Sequence, residues 1–419
     1  MLGNKRIVIT GLGLCTPLAR NVHDNWNKLL NGETSIIKHT PKGFEDYKVQ
    51  LSSRFPDYKP DLNKLNMTPK QVRRLCLNTS VALEAANEAI HDSGFLNLRN
   101  IGYDVGVMVG AGFGGISMIE ENTIKYHNKG PNRVHSLIAP MTLPGTAAVE
   151  IARQKKFRRV AGSGGFACAS GIEDLVEGVL RIRHDDCKVM VCGGTGEISN
   201  LTISGFGNAG ALSTHDDPIT APGPFDKDRN GFVLGEGAGI LVLEELNHAL
   251  DRNAKIYGEI MGYYTTNDCF HQTASDPSGE WAEYAINKTL ERARLNPDQI
   301  NYINSHGTGT MNDSVESQVI KKVFQDNTKN IPVNSTKSML GHTLNASGAI
   351  ESIVSLLSLR DNTVHPTRNL FNPDVQGGCL LEDYVQGSAK EHKIDYVLNN
   401  AFAFGGRNTF MIFGRYSGK

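Results

Sequence analysis

A chain of 419 residues, 39% of them hydrophobic and 21% charged, has ordinary globular composition and enough length to bury a large core. Its formal net charge of −1 supplies no overall field for nucleic acid or an anionic membrane, so an acidic partner has to be met by a local basic patch. Seven scattered cysteines without CxxC pairs argue against a disulfide framework and against a zinc site, and no metal is expected. With no signal-peptide pattern at the N-terminus and no apolar run near the ~18 residues that span a bilayer, the expected location is the cytoplasm.

In chain order, the first element is a strand at Arg6-Ile-Val-Ile-Thr10. Residues 70–92 read as a helix that opens on the basic Lys70-Gln-Val-Arg-Arg74. Val105-Gly-Val-Met-Val109 is a buried strand that runs into the glycine turn Gly110-Ala-Gly-Phe-Gly-Gly115. A dense basic run, Arg153-Gln-Lys-Lys-Phe-Arg-Arg159, comes next, and it reads equally as a patch for an acidic partner or as a solvated face. The turn Gly164-Gly-Phe-Ala-Cys-Ala-Ser-Gly171 then precedes a helix over 172–183, whose Ile172, Leu175, Val176, Val179 and Leu180 share one face. Lys188-Val-Met-Val-Cys192 repeats the strand-then-glycine pattern, ending in Gly193-Gly-Thr-Gly196.

Beyond residue 255 the pattern starts again, so the chain divides into a half at 1–255 and a half at 256–419. No Pro-, Ser- or charge-rich linker separates them, and they are expected to pack as one body. Tyr302-Ile-Asn304 leads into Ser305-His-Gly-Thr-Gly-Thr310, and Tyr396-Val-Leu398 into Ala401-Phe-Ala-Phe-Gly-Gly406, with a helix over 347–359 between them. Apolar strands that end in tight turns and alternate with helices make an α/β protein.

Cys168 stands where a helix begins, facing unpaired N–H groups and the positive end of the dipole, which favour a thiolate. Glu173 and Asp174 oppose this if they point at the sulfur, and are expected to face solvent or other partners. Small neighbours (Ala167, Ala169, Ser170, Gly171) permit a sharp turn and close approach of a substrate. His306 lies on one glycine-rich turn, and His342 ends Asn334-Ser-Thr-Lys-Ser-Met-Leu-Gly-His342. Taken singly, a cysteine of this kind is also what a buried structural thiol looks like, and each histidine what a hydrogen-bonded structural residue looks like. Together they suit carbanion chemistry at a thioester: the sulfur carries an electrophilic acyl group while two imidazole N–H donors hold an enolate oxygen.

These stretches, with Arg6-Ile-Val-Ile-Thr-Gly-Leu-Gly13, Gly205-Phe-Gly207, Phe225-Asp-Lys-Asp-Arg-Asn-Gly-Phe-Val-Leu-Gly-Glu-Gly-Ala-Gly239, Lys337-Ser-Met-Leu-Gly-His342 and Phe404-Gly-Gly-Arg-Asn408, occur in one order. In that order the chain resembles the elongating β-ketoacyl-[acyl carrier protein] synthases of the thiolase superfamily over essentially its whole length. The resemblance implies a thiolase-like five-layer α-β-α-β-α fold built from two similar halves. It implies Cys168 as nucleophile, His306 and His342 as the decarboxylation pair, and Lys337 as an orienting charge set against Glu316. The N–H groups of Cys168 and Phe404 would form the oxyanion hole, with Phe404 gating. Thr273, Thr308, Thr310, Phe113, Phe206 and Asn408 would contact substrate or pantetheine, and Lys70, Arg73 and Arg74 would dock the carrier protein. No cofactor is implied beyond the 4′-phosphopantetheine arm of that acyl carrier protein.

Some positions depart from the family pattern. Phe157–Phe166 lacks the usual Gly-Pro-Ser approach, Ala403 replaces a glycine, and Arg407 follows the two glycines of the gating turn. The short loop Asn312-Asp-Ser-Val-Glu316 is closer to the ketosynthase subunits of type II polyketide and polyene systems, and the Phe113 ring is expected to shorten the acyl pocket near a dimer partner. These features favour a heterodimer with a chain-length-factor-like subunit. The alternatives are a fatty-acid-elongating homodimer, a non-catalytic chain-length partner and a cysteine hydrolase.

Overall fold

The structure is a computed structural model that describes residues 5–41, 43–98 and 101–418. Ten of its strands form one mixed sheet. In chain order they are β1 (Ile7–Cys15), β2 (Val105–Gly110), β3 (Ala161–Gly162), β4 (Val189–Gly196), β5 (Gly237–Glu245), β6 (Gly258–Asn267), β7 (Tyr302–Asn304), β8 (Val333–Asn334), β9 (Tyr396–Ala403) and β10 (Arg407–Gly414). Their spatial order is β8-β7-β9-β10-β6-β1-β5-β4-β2-β3.

The sheet is one five-strand arrangement used twice. In the first half β2 runs parallel to β3 and β4, while β5 is antiparallel to both β4 and β1. In the second half β7 runs parallel to β8 and β9, while β10 is antiparallel to both β9 and β6. The seam is narrow: β1 and β6 pair only through Val8 with Glu259 and Ile9 with Gly258.

Six helices supply the other layers. They are α1 (Leu77–Ser93), α2 (Thr146–Lys155), α3 (Ser170–Arg183), α4 (Glu280–Ala293), α5 (Asn312–Phe324) and α6 (Ser347–Asp361). α1 and α2 cover the outer face of the first half, and α4 and α5 that of the second. α3 and α6 lie between the halves, giving the sequence α-β-α-β-α. The central helices explain an odd feature of composition. Residues 347–359 of α6 are all buried, so this helix carries apolar and small residues around its whole circumference.

One expectation is corrected. The helix expected over 70–92 is broken into a four-residue turn, Pro69–Val72, and α1. Between them Cys76 takes extended angles (φ −77°, ψ 165°), buries its side chain and donates its thiol to the Met141 carbonyl at 3.3 Å. Of the two settings expected for Glu173 and Asp174 on α3, solvent or other partners, the structure has the second: both are buried, Glu173 accepting from Thr265, Thr409 and Arg407 and Asp174 from the Gly164 N–H.

α3 and α6 meet through backbone. A Cβ on Gly171 would stand 2.5 Å from the Ala349 nitrogen, far inside contact distance. Replacing glycine by alanine inside a helix ordinarily stabilises by about 1 kcal/mol. Here overpacking of about 1–3 kcal/mol opposes it, because the neighbour is backbone and cannot rotate away. Gly171→Ala is therefore expected to lower stability in denaturant unfolding, against the sign of helix propensity.

Candidate active site

Each half delivers its central helix through the same local device. A residue at positive φ (Ala167, φ 45°; Leu344, φ 52°) opens a single 3-10 turn, Ala167–Ala169 or Leu344–Ala346, and the helix begins at Ser170 or Ser347. A side chain in that backbone region costs about 1 kcal/mol, and it persists only where neighbours hold it. The Ala167 carbonyl accepts from Asn345 Nδ2 (2.8 Å) and from Ser170 Oγ (2.7 Å), so the turn of one half is clamped by the other. Cys168 is the next residue.

Cys168, His306 and His342 converge on one cavity of about 1020 Å³, together with Phe113, Phe206, Thr273, Thr308, Thr310 and Phe404. Burial pushes the Cys168 thiol up to about 11; the charge of Lys337 and the N–H groups of Phe404 and Cys168 directed at the sulfur act the other way. Desolvation is the largest of these influences, so the sulfur depends on Lys337 and the two N–H groups to reach the anion. The same two N–H groups form a donor pair beside the sulfur.

The imidazoles of His306 and His342 stand edge to face, with ring centroids 5.4 Å apart. On His342, Nδ1 accepts the Leu344 N–H at 3.2 Å and faces Ser347 Oγ at 2.9 Å. On His306, Nδ1 faces Lys337 Nζ at 3.3 Å, an acceptor's place. Both neutral rings therefore carry their proton on Nε2. Burial first, then the Lys337 charge, holds both histidines well below their usual range. Two uncharged Nε2–H donors are what an enolate oxygen requires.

Lys337 is almost fully buried, donates to the His306 carbonyl at 2.6 Å, and forms an ion pair with Glu351 on α6. Its expected partner, Glu316, does something else. Glu316 Oε1 accepts from the His306 N–H (2.8 Å) and Asn400 Nδ2 (2.9 Å), and Oε2 from the Gly307 N–H (2.9 Å). Asp313, one turn earlier on α5, accepts from the N–H groups of Thr308 (2.8 Å) and Gly309 (2.9 Å). The first two turns of α5 thus clamp the turn that carries His306, where Gly307 and Gly309 adopt φ of 27° and 79°. Glu316 positions backbone.

Not every expected residue reaches the cavity. Asn408 is buried with its amide donated to the Gly406 carbonyl at 3.3 Å, and it does not line the space. Lys70, Arg73 and Arg74 are exposed around the Pro69–Val72 turn, away from the lining. Glu351 was missed, although a lone acid inside the otherwise uncharged run 347–359 is a signal that sequence alone offers. Asn345, clamping Ala167, carries no such signal.

The described residues contain no group of three or more His, Cys, Asp or Glu placed to hold a metal, and no described helix is long and apolar enough to cross a membrane. Residues 4–249 match the beta-ketoacyl synthase N-terminal domain, and residues 257–371 the C-terminal domain of the same family. The 3-oxoacyl-[acyl-carrier-protein] synthase 2 of Coxiella burnetii is 38% identical over 414 residues, covering 98% of this chain and 99% of that protein. The protein of the same name from Synechocystis is 38% identical over 418 residues, covering 99% of each. Among solved structures, a type II polyketide ketosynthase in complex with its acyl-carrier protein superposes with a TM-score of 0.87 at 30% identity, covering 99% of this chain and 100% of that one. The ishigamide ketosynthase/chain length factor does so with 0.89 at 30% identity and the same coverage. With both domain profiles matched in order and relatives aligned end to end, the chain belongs to the beta-ketoacyl synthase family.

Proposed function

We propose that the protein catalyses a decarboxylative Claisen condensation, joining an acyl group held on Cys168 to the two-carbon unit of a malonyl thioester on an acyl carrier protein. The observation that carries this reading is the convergence of one sulfur, two N–H donors beside it and two neutral Nε2–H imidazoles on a single cavity. Residues 1–255 supply the sulfur and residues 256–419 both imidazoles.

The Cys168 sulfur, once deprotonated, attacks the carbonyl carbon of the incoming acyl thioester. The N–H groups of Cys168 and Phe404 hold the oxyanion, and the carrier's pantetheine thiol leaves. Malonyl thioester then enters, and its carbonyl oxygen takes hydrogen bonds from His306 and His342 Nε2–H. Loss of CO2 leaves its electron pair as an enolate stabilised by those bonds. The enolate carbon attacks the Cys168 thioester, and collapse expels the sulfur with the 3-ketoacyl chain on the carrier. The thiol's high pKa suits a group that is neutral at rest and is drawn toward the anion by the Lys337 charge.

The short 312–316 loop and the Phe113 ring in the cavity support a type II polyketide or polyene system with a chain-length-factor-like partner. A second reading, a homodimeric fatty-acid elongating enzyme, draws on the 38% identity to 3-oxoacyl synthases. Acyl-enzyme mass spectrometry separates the two. Under the first, the lone homodimer loads Cys168 only with chains shorter than C12; C12 or longer chains on it support the second.

The condensation itself is tested by mixing acyl- and malonyl-carrier with the parent protein and with Cys168→Ala. The parent is expected to form 3-ketoacyl-carrier and CO2, and the variant to form no ketoacyl product. Condensation at the parental rate by the variant, or free acid as the parent's product, overturns the reading. The histidine pKa values set a pH window. A lowered imidazole pKa means protonation waits for more acid, so both rings stay neutral donors as pH falls from 8 through 6.5. Malonyl-carrier decarboxylation is expected to be flat over that range; a fall centred near 6.5 contradicts neutral donors.

For the carrier protein, whose acidic surface needs a basic counterpart, Lys70, Arg73 and Arg74 offer three exposed cations on one turn. Reversing all three charges is expected to raise KM for carrier-bound substrate about tenfold with kcat little changed, each exposed pair being worth a few tenths of a kcal/mol.

A further inference from the structure

The gating turn and the nucleophile turn are joined by a side chain that the reaction scheme leaves unused. Arg407, the first residue of β10, follows Phe404-Gly405-Gly406 directly. Its guanidinium lies over the ring of Phe166, 4.1 Å from the centroid, and its Nε donates to Glu173 Oε1 at 2.9 Å. Phe166 stands two residues before Cys168, and Glu173 sits on the first turns of α3 five residues after it.

Glu173 is held hard. It is buried, and Oε1 also accepts from Thr409 Oγ1 (2.6 Å) on β10 and Thr265 Oγ1 (2.8 Å) on β6. Phe166 is fixed through its backbone N–H, which donates to Ser170 Oγ at 3.1 Å. Arg407 therefore bridges two points that bracket the nucleophile. It is itself covalently three residues from Phe404, whose N–H faces the sulfur. Gly405 and Gly406 adopt φ of 86° and 79°, and the far side of their turn is held by the Gly405 N–H on the Gln272 carbonyl (2.9 Å), Asn267 Nδ2 on the Gly405 carbonyl (2.7 Å) and the Asp268 N–H on the Gly406 carbonyl (2.8 Å), which leaves Arg407 as the tie toward the nucleophile turn.

We propose that Arg407 is a positioning residue for acyl transfer: through its stack on Phe166 and its bond to Glu173 it sets the Phe404 N–H against Cys168 and so completes the oxyanion hole. A planar guanidinium suits this post, since it stacks through its face while donating from its edge; an ammonium does only the second. The proposal rests on reading Cys168 as the acyl-bearing nucleophile. It separates two half-reactions, because the Phe404 N–H serves acyl transfer to the sulfur whereas malonyl decarboxylation uses His306 and His342.

The test measures both half-reactions on the full-length protein: burst formation of acyl-Cys168 from acyl-carrier, and CO2 release from malonyl-carrier without primer. Arg407→Ala is expected to slow acylation about 10- to 100-fold, the range for misplacing an oxyanion donor, and to leave CO2 release within about twofold. Glu173→Gln in the Arg407→Ala background adds little if the two act as one unit. Should the alanine variant fail to fold, Arg407→Lys carries the test, with the same split expected because the stack is lost. Acylation within twofold of the parent, or an equal fall in both half-reactions, overturns the proposal. A parent that never acylates Cys168 instead overturns the reading beneath it.

Discussion

Lys337 is the point on which the site turns. Its side chain is out of water, between the His306 turn, to whose carbonyl and Nδ1 it is directed, and Glu351 on the central helix α6. Burying such a charge is tolerable only when a counter-charge and hydrogen bonds replace its solvent, and removing either partner of a buried pair costs roughly 3–5 kcal/mol. That cost is matched by three chemical effects of one charge. It holds His306 and His342 away from protonation, it eases the Cys168 sulfur toward the anion, and its place at Nδ1 fixes the tautomer of His306. Cys168 and the two imidazoles are tuned together because they share this neighbour.

The remaining geometry follows from rigid backbone held by buried acids. Glu316 and Asp313 bond the N–H groups of the His306 turn, Asp174 accepts the Gly164 N–H at 2.9 Å ahead of the nucleophile, and Glu173 joins α3 to β6 and β10. None of these needs to touch a substrate. Burial raises the carboxyls of Asp174, Asp313 and Glu316 above their usual range, while the bonds from backbone N–H groups draw them back down. A carboxylate clamped on several N–H groups trades desolvation for fixed loop shape, and fixed loops are what hold reacting groups in a productive geometry.

The duplicated fold brings side chains of both halves to one cavity. The sulfur and both imidazoles reach the cavity from turns that end strands or begin central-layer helices, and the central helices touch so closely that Gly171 lies against the backbone of Ala349. The clamp on Ala167 comes from Asn345 of the opposite half. Each half thus supplies part of the chemistry and part of the restraint on the other half's chemistry.

Much of this was legible in the residues. Apolar runs ending in glycine turns marked β2, β4, β7 and β9, since strands of a covered sheet are buried over nearly their whole length. Cys168, His306 and His342 stood out because each sits on a turn of small residues, where a reactive side chain can meet a ligand. What the chain could not disclose were pairings across distance. Lys337 meets Glu351 instead of Glu316, Glu173 turns inward to Arg407, and Asn408 is turned to the Gly406 carbonyl and stands off the cavity lining. Local sequence dictates strand, turn and helix because those rest on contacts a few residues apart. Partner choice among buried charges, and the balance of desolvation against the Lys337 charge at Cys168, depend on which elements the topology brings together, and only the folded arrangement decides that.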